Sequence, residues 1–204
     1  MKNLEAESMC LSKKIREEGG LKFDTGVYFC GIDPGFSGAI AILDFNSDIV
    51  HYMDMPVYTI LKKRVLDEPA ICMIFRKFNP MIVGIEKAQT MPGQGLVSSG
   101  RYMDSYGFLR GMCVGMRYQY HLIRPTSWKK KMLFDMPKDK HSSIVKVGQL
   151  YPKIELLRKK DHGIADAILI ARYMISTLSP ITLQHLSPPP PSTAKSIEDQ
   201  VTGI

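Results

Sequence analysis

Three carboxylates in this chain stand where a charge needs a reason. Asp33 follows the apolar run "VYFCGI" and precedes Pro-Gly, Glu86 closes "MIVGIE", and Asp166 lies inside "IADAILIARYMISTL". A carboxylate taken out of water is strongly disfavoured unless it is paired, hydrogen-bonded or bound to a metal. Each has an ordinary alternative when taken singly. Asp33 in Asp-Pro-Gly can hydrogen-bond the backbone two residues on, Glu86 can simply end a strand, and Asp166 can pair with Arg172 or a lysine of "RKKDHG". Gathered together, they would repel and raise one another's pKa, so that at neutral pH they require a cation. Oxygen ligands without paired cysteines or histidines favour Mg²⁺ or Mn²⁺. Two such ions about 4 Å apart activate a water and stabilise the leaving oxygen in phosphodiester hydrolysis. The expectation is two Mg²⁺ ions per site, with Mn²⁺ able to substitute.

The elements that must bring these residues together follow from the apolar pattern. "VYFCGID" and "GAIAILD" are short apolar runs separated by Pro-Gly, and "DIVHYMDM" alternates more weakly, which predicts three strands in a meander. Asp67 can cap a helix running to about Phe78, with Glu68 and Pro69 suited to its first turn. "MIVGIE" is a near-continuous apolar run, the pattern of a strand covered on both faces. After the Gly-rich "TMPGQGLVSSG", a helix from Ser98 or Ser99 carries Gly107, Gly111 and Gly115 on one stripe. Each glycine lowers helix stability by roughly 1 kcal/mol, so the stripe implies a packing or binding reason. "YHLIRP" is a further strand, followed by a helical turn from Thr126, a helical segment over 139–150 and a long helix from about Ile164 to Leu178. This order predicts an α/β protein with an RNase H-like fold, a mixed five-stranded sheet flanked by helices. If the strands ending in Asp33 and Glu86 are central and parallel, their ends adjoin, and Asp166 faces them from the last helix.

At 204 residues with 45% hydrophobic content, the chain suits one compact domain over 26–180. Residues 1–25 read as an N-terminal extension and 181–204 as a Pro/Ser-rich tail, both expected to be mobile. The net charge of +7 favours a polyanionic partner, nucleic acid foremost. Cys10, Cys30, Cys72 and Cys113 show no zinc-ligand spacing and read as free thiols of a reducing, intracellular compartment. The charged opening of the chain does not read as a signal peptide and the longest apolar run is interrupted by Asp166 and Arg172, so neither a leader nor a membrane partner is expected. From Arg124 to Lys140, six basic residues stand against two acidic ones, either a phosphate-tracking patch or a solvated helix face. Arg124, Lys129, Lys130, Lys131 and Lys140 are its DNA-binding candidates. Gln94, Ser98, Ser99 and Arg101, in or beside the Gly-rich loop after Glu86, are further ones, because glycines permit close approach to DNA. Trp128 either packs beneath the turn or stacks on a nucleotide.

The ordered set "GIDPGFSGAIAIL", "VGIEKAQ", "PTSWKK" and "DHGIADAILIARY" resembles the four motif blocks of RuvC-type Holliday-junction resolvases, especially the phage and plant-chloroplast branch, over about residues 28–175. The resemblance implies a Mg²⁺-dependent, structure-selective endonuclease that resolves four-way DNA junctions by paired nicks, leaving 5′-phosphate and 3′-hydroxyl ends. By that resemblance Asp33, Glu86 and Asp166 fall on catalytic, metal-binding positions, Lys129 and Lys140 lie near the scissile phosphate, and the Gly-rich loop enters the junction centre. One acidic cluster per chain and two incisions per junction imply a homodimer. The location would be the cytoplasm, or an organelle or host cytoplasm for a plant or phage source.

The sequence departs from the family pattern at Gly163, where bacterial relatives place an acid or histidine three residues before the last aspartate. Asp161 and His162 are the substitutes. Helical spacing puts His162 on the face of Asp166 and Asp161 about 140° away. Some resolvases of the resembled branch place the acid five residues ahead, and on that resemblance Asp161 is taken as the fourth catalytic and metal-binding carboxylate. Three rival readings remain: another RNase H-like nuclease acting on RNA, hybrids or flaps; a junction-binding module, against which the carboxylates argue; and an actin-like ATP-binding protein. The last rests on "GIDPGFSGA", which resembles a first phosphate loop, and it would need a second, glycine-rich half.

Overall fold

Strand β1 (Tyr28–Asp33) pairs antiparallel with β2 (Ala39–Asp44), and β2 pairs antiparallel with β3 (Ile49–Asp54), the meander expected of the three apolar runs. The computed structural model describes residues 26–89, 95–139 and 141–177, so both terminal extensions, Gln94 and Lys140 lie outside the described residues. A hairpin of β4 (Val57–Ile60) and β5 (Lys63–Leu66) follows, and then Asp67 caps α1 (Glu68–Phe78), its Oδ1 accepting from the Ala70 N–H at 3.1 Å. The chain returns as β6 (Ile82–Glu86) parallel to β1, crosses over through α2 (Leu96–Gly115), and adds β7 (Gln119–Ile123) parallel to β6. Helices α3 (Pro125–Met132) and α4 (Ser142–Leu150), a 3₁₀ turn at Lys159–Asp161 and α5 (His162–Thr177) complete the described chain. The sheet order is β3-β2-β1-β6-β7, so β1 and β6 are central and parallel, as the convergence of Asp33 and Glu86 requires.

Strand alternation divides the core into two layers. Cys30, Ile32, Val83 and Ile85 point toward α1 and α2 and pack with Ile71, Phe75, Leu109 and Cys113. Phe29 and Ile82 point to the other face, beneath α5, where Ala39 and Ala41 meet Ala165, Ala167, Ile168 and Ala171. On that second face, Phe29-Gly31-Asp33 runs beside Ile82-Gly84-Glu86, with Gly31 and Gly84 paired in register. A Cβ on Gly31 would stand 2.1 Å from the Ala167 carbonyl oxygen, and one on Gly84 would stand 2.3 Å from the Met174 sulfur. The two glycines therefore let α5 lie directly on the central strands, and the acids two residues on share its face.

Two local features differ from the sequence expectation. The β4–β5 hairpin was not anticipated, because its two-residue turn is Leu61-Lys62, at φ +46° and +63°, where Asn or Gly is usual. Left-handed backbone disfavours a residue with a Cβ by roughly 1–2 kcal/mol. Helix α2 starts at Leu96 with Gly95 as its cap, the Gly95 carbonyl accepting from the Ser99 N–H at 3.0 Å, rather than at a serine cap. Gly107, Gly111 and Gly115 on α2 have nothing within 4 Å of where a Cβ would stand, so the stripe faces away from the sheet. Cys30, Cys72 and Cys113 are free thiols. Among the described residues no helix is long and apolar enough to cross a membrane, and there is no second half of the kind an actin-like fold needs.

Candidate active site

Asp33 and Glu86 stand at the carboxyl ends of adjacent parallel strands, one residue beyond the Ile32–Ile85 pair. Helix α5 brings Asp166 to them by close approach at its first turn. Gly163 lies so near the β1–β2 turn that a Cβ there would be 2.8 Å from the Ser37 carbonyl oxygen and 3.3 Å from Asp33 Oδ2. Any side chain at 163 would collide with the turn, which accounts physically for glycine at that position. Gly38 is equally constrained, since a Cβ on it would meet the Asp33 carbonyl oxygen at 2.0 Å.

The electrostatics follow from this crowding. Burial, and then the charges of Glu86 and Asp166, push the Asp33 carboxyl well above the usual range, with Lys129 drawing it partly back. Glu86 is also raised, by burial first, against the hydrogen bond donated by Trp128 Nε1 to its Oε1 at 2.8 Å. Asp166 is raised by burial, opposed by the Ser143 hydroxyl, Lys129 and His162. The Lys129 ammonium lies 3.7 Å from Asp166 Oδ2 and stays half-exposed, whereas Asp166 Oδ1 is buried and has no hydrogen-bond partner. An orphaned buried carboxylate oxygen beside two other raised carboxylates is the donor set a hard divalent cation satisfies. As they stand, the described side chains do not form a closed metal cage. Trp128 holds Glu86 and Lys129 holds Asp166, so closing one requires side-chain rotation around backbone positions that already adjoin.

Two solved structures share this arrangement of elements. Thermus thermophilus RuvC in complex with a Holliday junction substrate superposes with a TM-score of 0.53 and 13% identity, covering 72% of this chain and 91% of that one. A second Thermus thermophilus RuvC structure gives 0.51 and 15%, covering 72% and 92%. The chain has the RuvC fold. No protein-family model matches it, and no curated protein sequence matches it.

Within this RuvC fold the fourth acid does not join the other three. Asp161 is buried and closed off by Arg158, whose backbone N–H donates to Oδ2 and whose Nε donates to Oδ1, each at 2.7 Å. Arg158 also grips Asp54 at the end of β3, through Nη1 at 3.0 Å and Nη2 at 3.1 Å, and Lys160 reaches the same aspartate at 2.6 Å. Asp161 therefore ties the start of α5 to β3, a contact made possible by the 3₁₀ turn before the helix. His162 opens α5, is exposed, and lies close enough for its charge to draw Asp166 down.

The basic candidates are spread around the RuvC fold. Among the described ones, Lys129 alone contacts a carboxylate of the cluster, Lys130 is exposed, and Lys131 donates to the Ser176 carbonyl at 2.9 Å. Arg124 lines a cavity of about 520 Å³ with His121, Ser127 and Tyr173, and none of the three carboxylates lines it. Arg101 lines another of about 350 Å³ with Phe36 and Arg64, and Ser98 is exposed at the start of α2, one residue before the partly buried Ser99. Sequence reasoning missed Tyr102, whose ring would meet a Gly35 Cβ at 3.0 Å and whose phenol is pushed far up by burial, Asp33 and Glu86. It also missed the hold of Trp128 on Glu86. Trp128 is fully buried, so the packing alternative holds and the indole N–H adds a role.

Proposed function

We propose that this chain is a metal-dependent endonuclease that resolves four-way DNA junctions. The observation that carries the reading is the convergence of Asp33, Glu86 and Asp166 on one face of a RuvC fold, with a buried Asp166 oxygen left unpartnered. Asp33, Glu86 and Asp166 would hold Mg²⁺, two ions per site, with Mn²⁺ able to replace it. The bound ions would supply an activated water and charge stabilisation at the leaving oxygen. The chain's own residues do the rest. Trp128 orients Glu86 by its N–H, Gly163 and Gly38 hold α5 and the β1–β2 turn at contact distance, and Lys129 presents a half-exposed ammonium for the scissile phosphate. Lys130 and Arg101 add exposed charge for flanking phosphates.

The junction reading also draws on the neighbour whose structure contains a Holliday junction substrate. Each chain carries one acidic cluster, and a junction with approximate two-fold symmetry needs two cuts, so the active form is a homodimer. The outward glycine stripe of α2, beside Val114 at 66% exposure, is the face on which a second copy can approach closely. The test is purified protein offered four-way, flap, hybrid and linear duplex substrates with Mg²⁺ or with EDTA, together with a supercoiled cruciform plasmid. The reading expects Mg²⁺-dependent cutting selective for the four-way junction, and linear plasmid formed within one binding event. Preferential cutting of hybrids or flaps, or nicked circles that never become linear, contradicts it.

A further inference from the structure

The β4–β5 hairpin pairs only with itself and is not part of the main sheet. Its base is keyed to the candidate active site. Leu66 is buried and Val57 packs against the same core layer, while Arg64 donates to the carbonyl of Phe36 and sets its guanidinium 5.8 Å from that ring. Phe36 belongs to the β1–β2 turn that follows Asp33, so the hairpin braces the loop that carries the first carboxylate. The tip is the opposite case. The ladder closes at Ile60–Lys63, leaving Leu61-Lys62 as a two-residue loop with both φ values positive. Asn-Gly is what such a turn favours for folding. Leu61 stands there instead, 90% exposed, in a backbone conformation that leucine resists, and it recovers nothing by burial. The next three residues, Lys62, Lys63 and Arg64, are all cationic and exposed.

Resting on the junction-nuclease reading, we infer that the β4–β5 hairpin is a DNA-contacting arm, with Leu61 abutting base faces exposed at the branch point and Lys62 and Lys63 engaging the flanking phosphates. Apolar side chains that part base steps work in this way. An intact duplex hides its base faces in the stack, whereas in an opened four-way junction the base pairs flanking the branch point each have one face without a stacking partner. The cationic neighbours argue for a polyanion over a protein surface, which would present an apolar rim to an exposed leucine.

The test exploits the conflict between folding and function at the tip. Leu61→Asn with Lys62→Gly installs the preferred turn, so thermal stability holds or rises. Binding to a fluorescent four-way junction should fall at least about tenfold, the worth of an apolar side chain removed from a buried contact. Linear duplex binding should change by only a few-fold. Leu61→Asn alone should weaken junction binding with the salt slope unchanged, and adding Lys62→Gly should reduce that slope by about 0.9. If wild type cuts junctions and both variants bind and cut them equally well, the arm is overturned and the nuclease reading stands. Equal losses on junction and linear duplex overturn the role of Leu61 at exposed bases. Wild type that neither binds nor cuts junctions overturns the nuclease reading and the arm with it.

Discussion

Gly163→Ala adds one methyl group at the point where α5 meets the loop after Asp33. The new Cβ would lie 2.8 Å from the Ser37 carbonyl oxygen, and an ordinary contact begins at 3.4 Å, so helix and turn must separate by about 0.6 Å. The atom in the way is backbone, with Gly38 Cα next at 3.2 Å, so no side chain can rotate aside. Replacing a helical glycine by alanine favours the helix by roughly 1 kcal/mol, while overpacking costs about 1–3 kcal/mol. The net expectation is a destabilisation of about 0–2 kcal/mol. The chemistry should suffer as well as the folding. A 1 Å misplacement can cost about a hundredfold, so a shift of this size between Asp33 and Asp166 should slow cleavage by roughly tenfold. Differential scanning calorimetry and single-turnover junction cleavage at saturating Mg²⁺ measure the two separately. Wild-type cleavage together with an unchanged or higher melting temperature would refute the close-approach argument.

Trp128→Phe removes the N–H that holds Glu86 Oε1 at 2.8 Å. A hydrogen bond to a charged group is worth about 1.5–3 kcal/mol, so cleavage should slow by about tenfold or more while junction affinity stays within a few-fold; unaltered cleavage would deny Glu86 its orienter. Asp161→Asn weakens a contact to an Arg158 that is itself half-exposed, so the loss of stability should be at most about 1 kcal/mol with or without Mg²⁺. His162→Ala should leave the melting temperature unchanged. If Asp161→Asn abolishes cleavage at unchanged stability, Asp161 is the fourth metal-binding carboxylate after all. The raised Asp33, Glu86 and Asp166 carboxyls make a pH prediction. Their contribution to stability is full below the ordinary carboxylate value of about 4 and is lost as pH rises through their raised folded values, so metal-free protein should lose stability across that window. Asp33→Asn should flatten the decline, as should Mg²⁺, and a decline equally steep in Asp33→Asn would contradict the electrostatic account.

The parts of this architecture legible in sequence are those with short-range signals. The apolar runs ending in Asp33 and Glu86, the Asp67 cap and the long final helix each announce themselves within about ten residues. What stayed hidden depends on distant partners. Trp128 and Glu86 are 42 positions apart, and nothing local links an indole to that carboxylate. Helical spacing favours His162 and the family resemblance favours Asp161; the 3₁₀ turn before α5 and the closure of Arg158 on Asp161 there have no local signal. The outward aim of Gly107, Gly111 and Gly115 is set by how α2 packs, and spacing alone leaves both faces open. A usable signal was nonetheless present. Gly-Ile-Asp at 31–33 and Gly-Ile-Glu at 84–86 repeat one pattern, a glycine for the helix to rest on and an acid two residues further along the same face.

The most direct measurement is single-turnover cleavage of a four-way junction in Mg²⁺ by Asp33→Asn, Glu86→Gln and Asp166→Asn, with junction affinity measured in parallel in Ca²⁺. Each change keeps the side chain's size and removes a charge from the cluster. Losing a metal-holding carboxylate should remove several kcal/mol of transition-state stabilisation, so each variant should cut at least about a hundredfold more slowly, while binding stays within a few-fold of wild type. Near wild-type cleavage by any one of the three would contradict its place in the centre, and such cleavage by all three would contradict the centre itself.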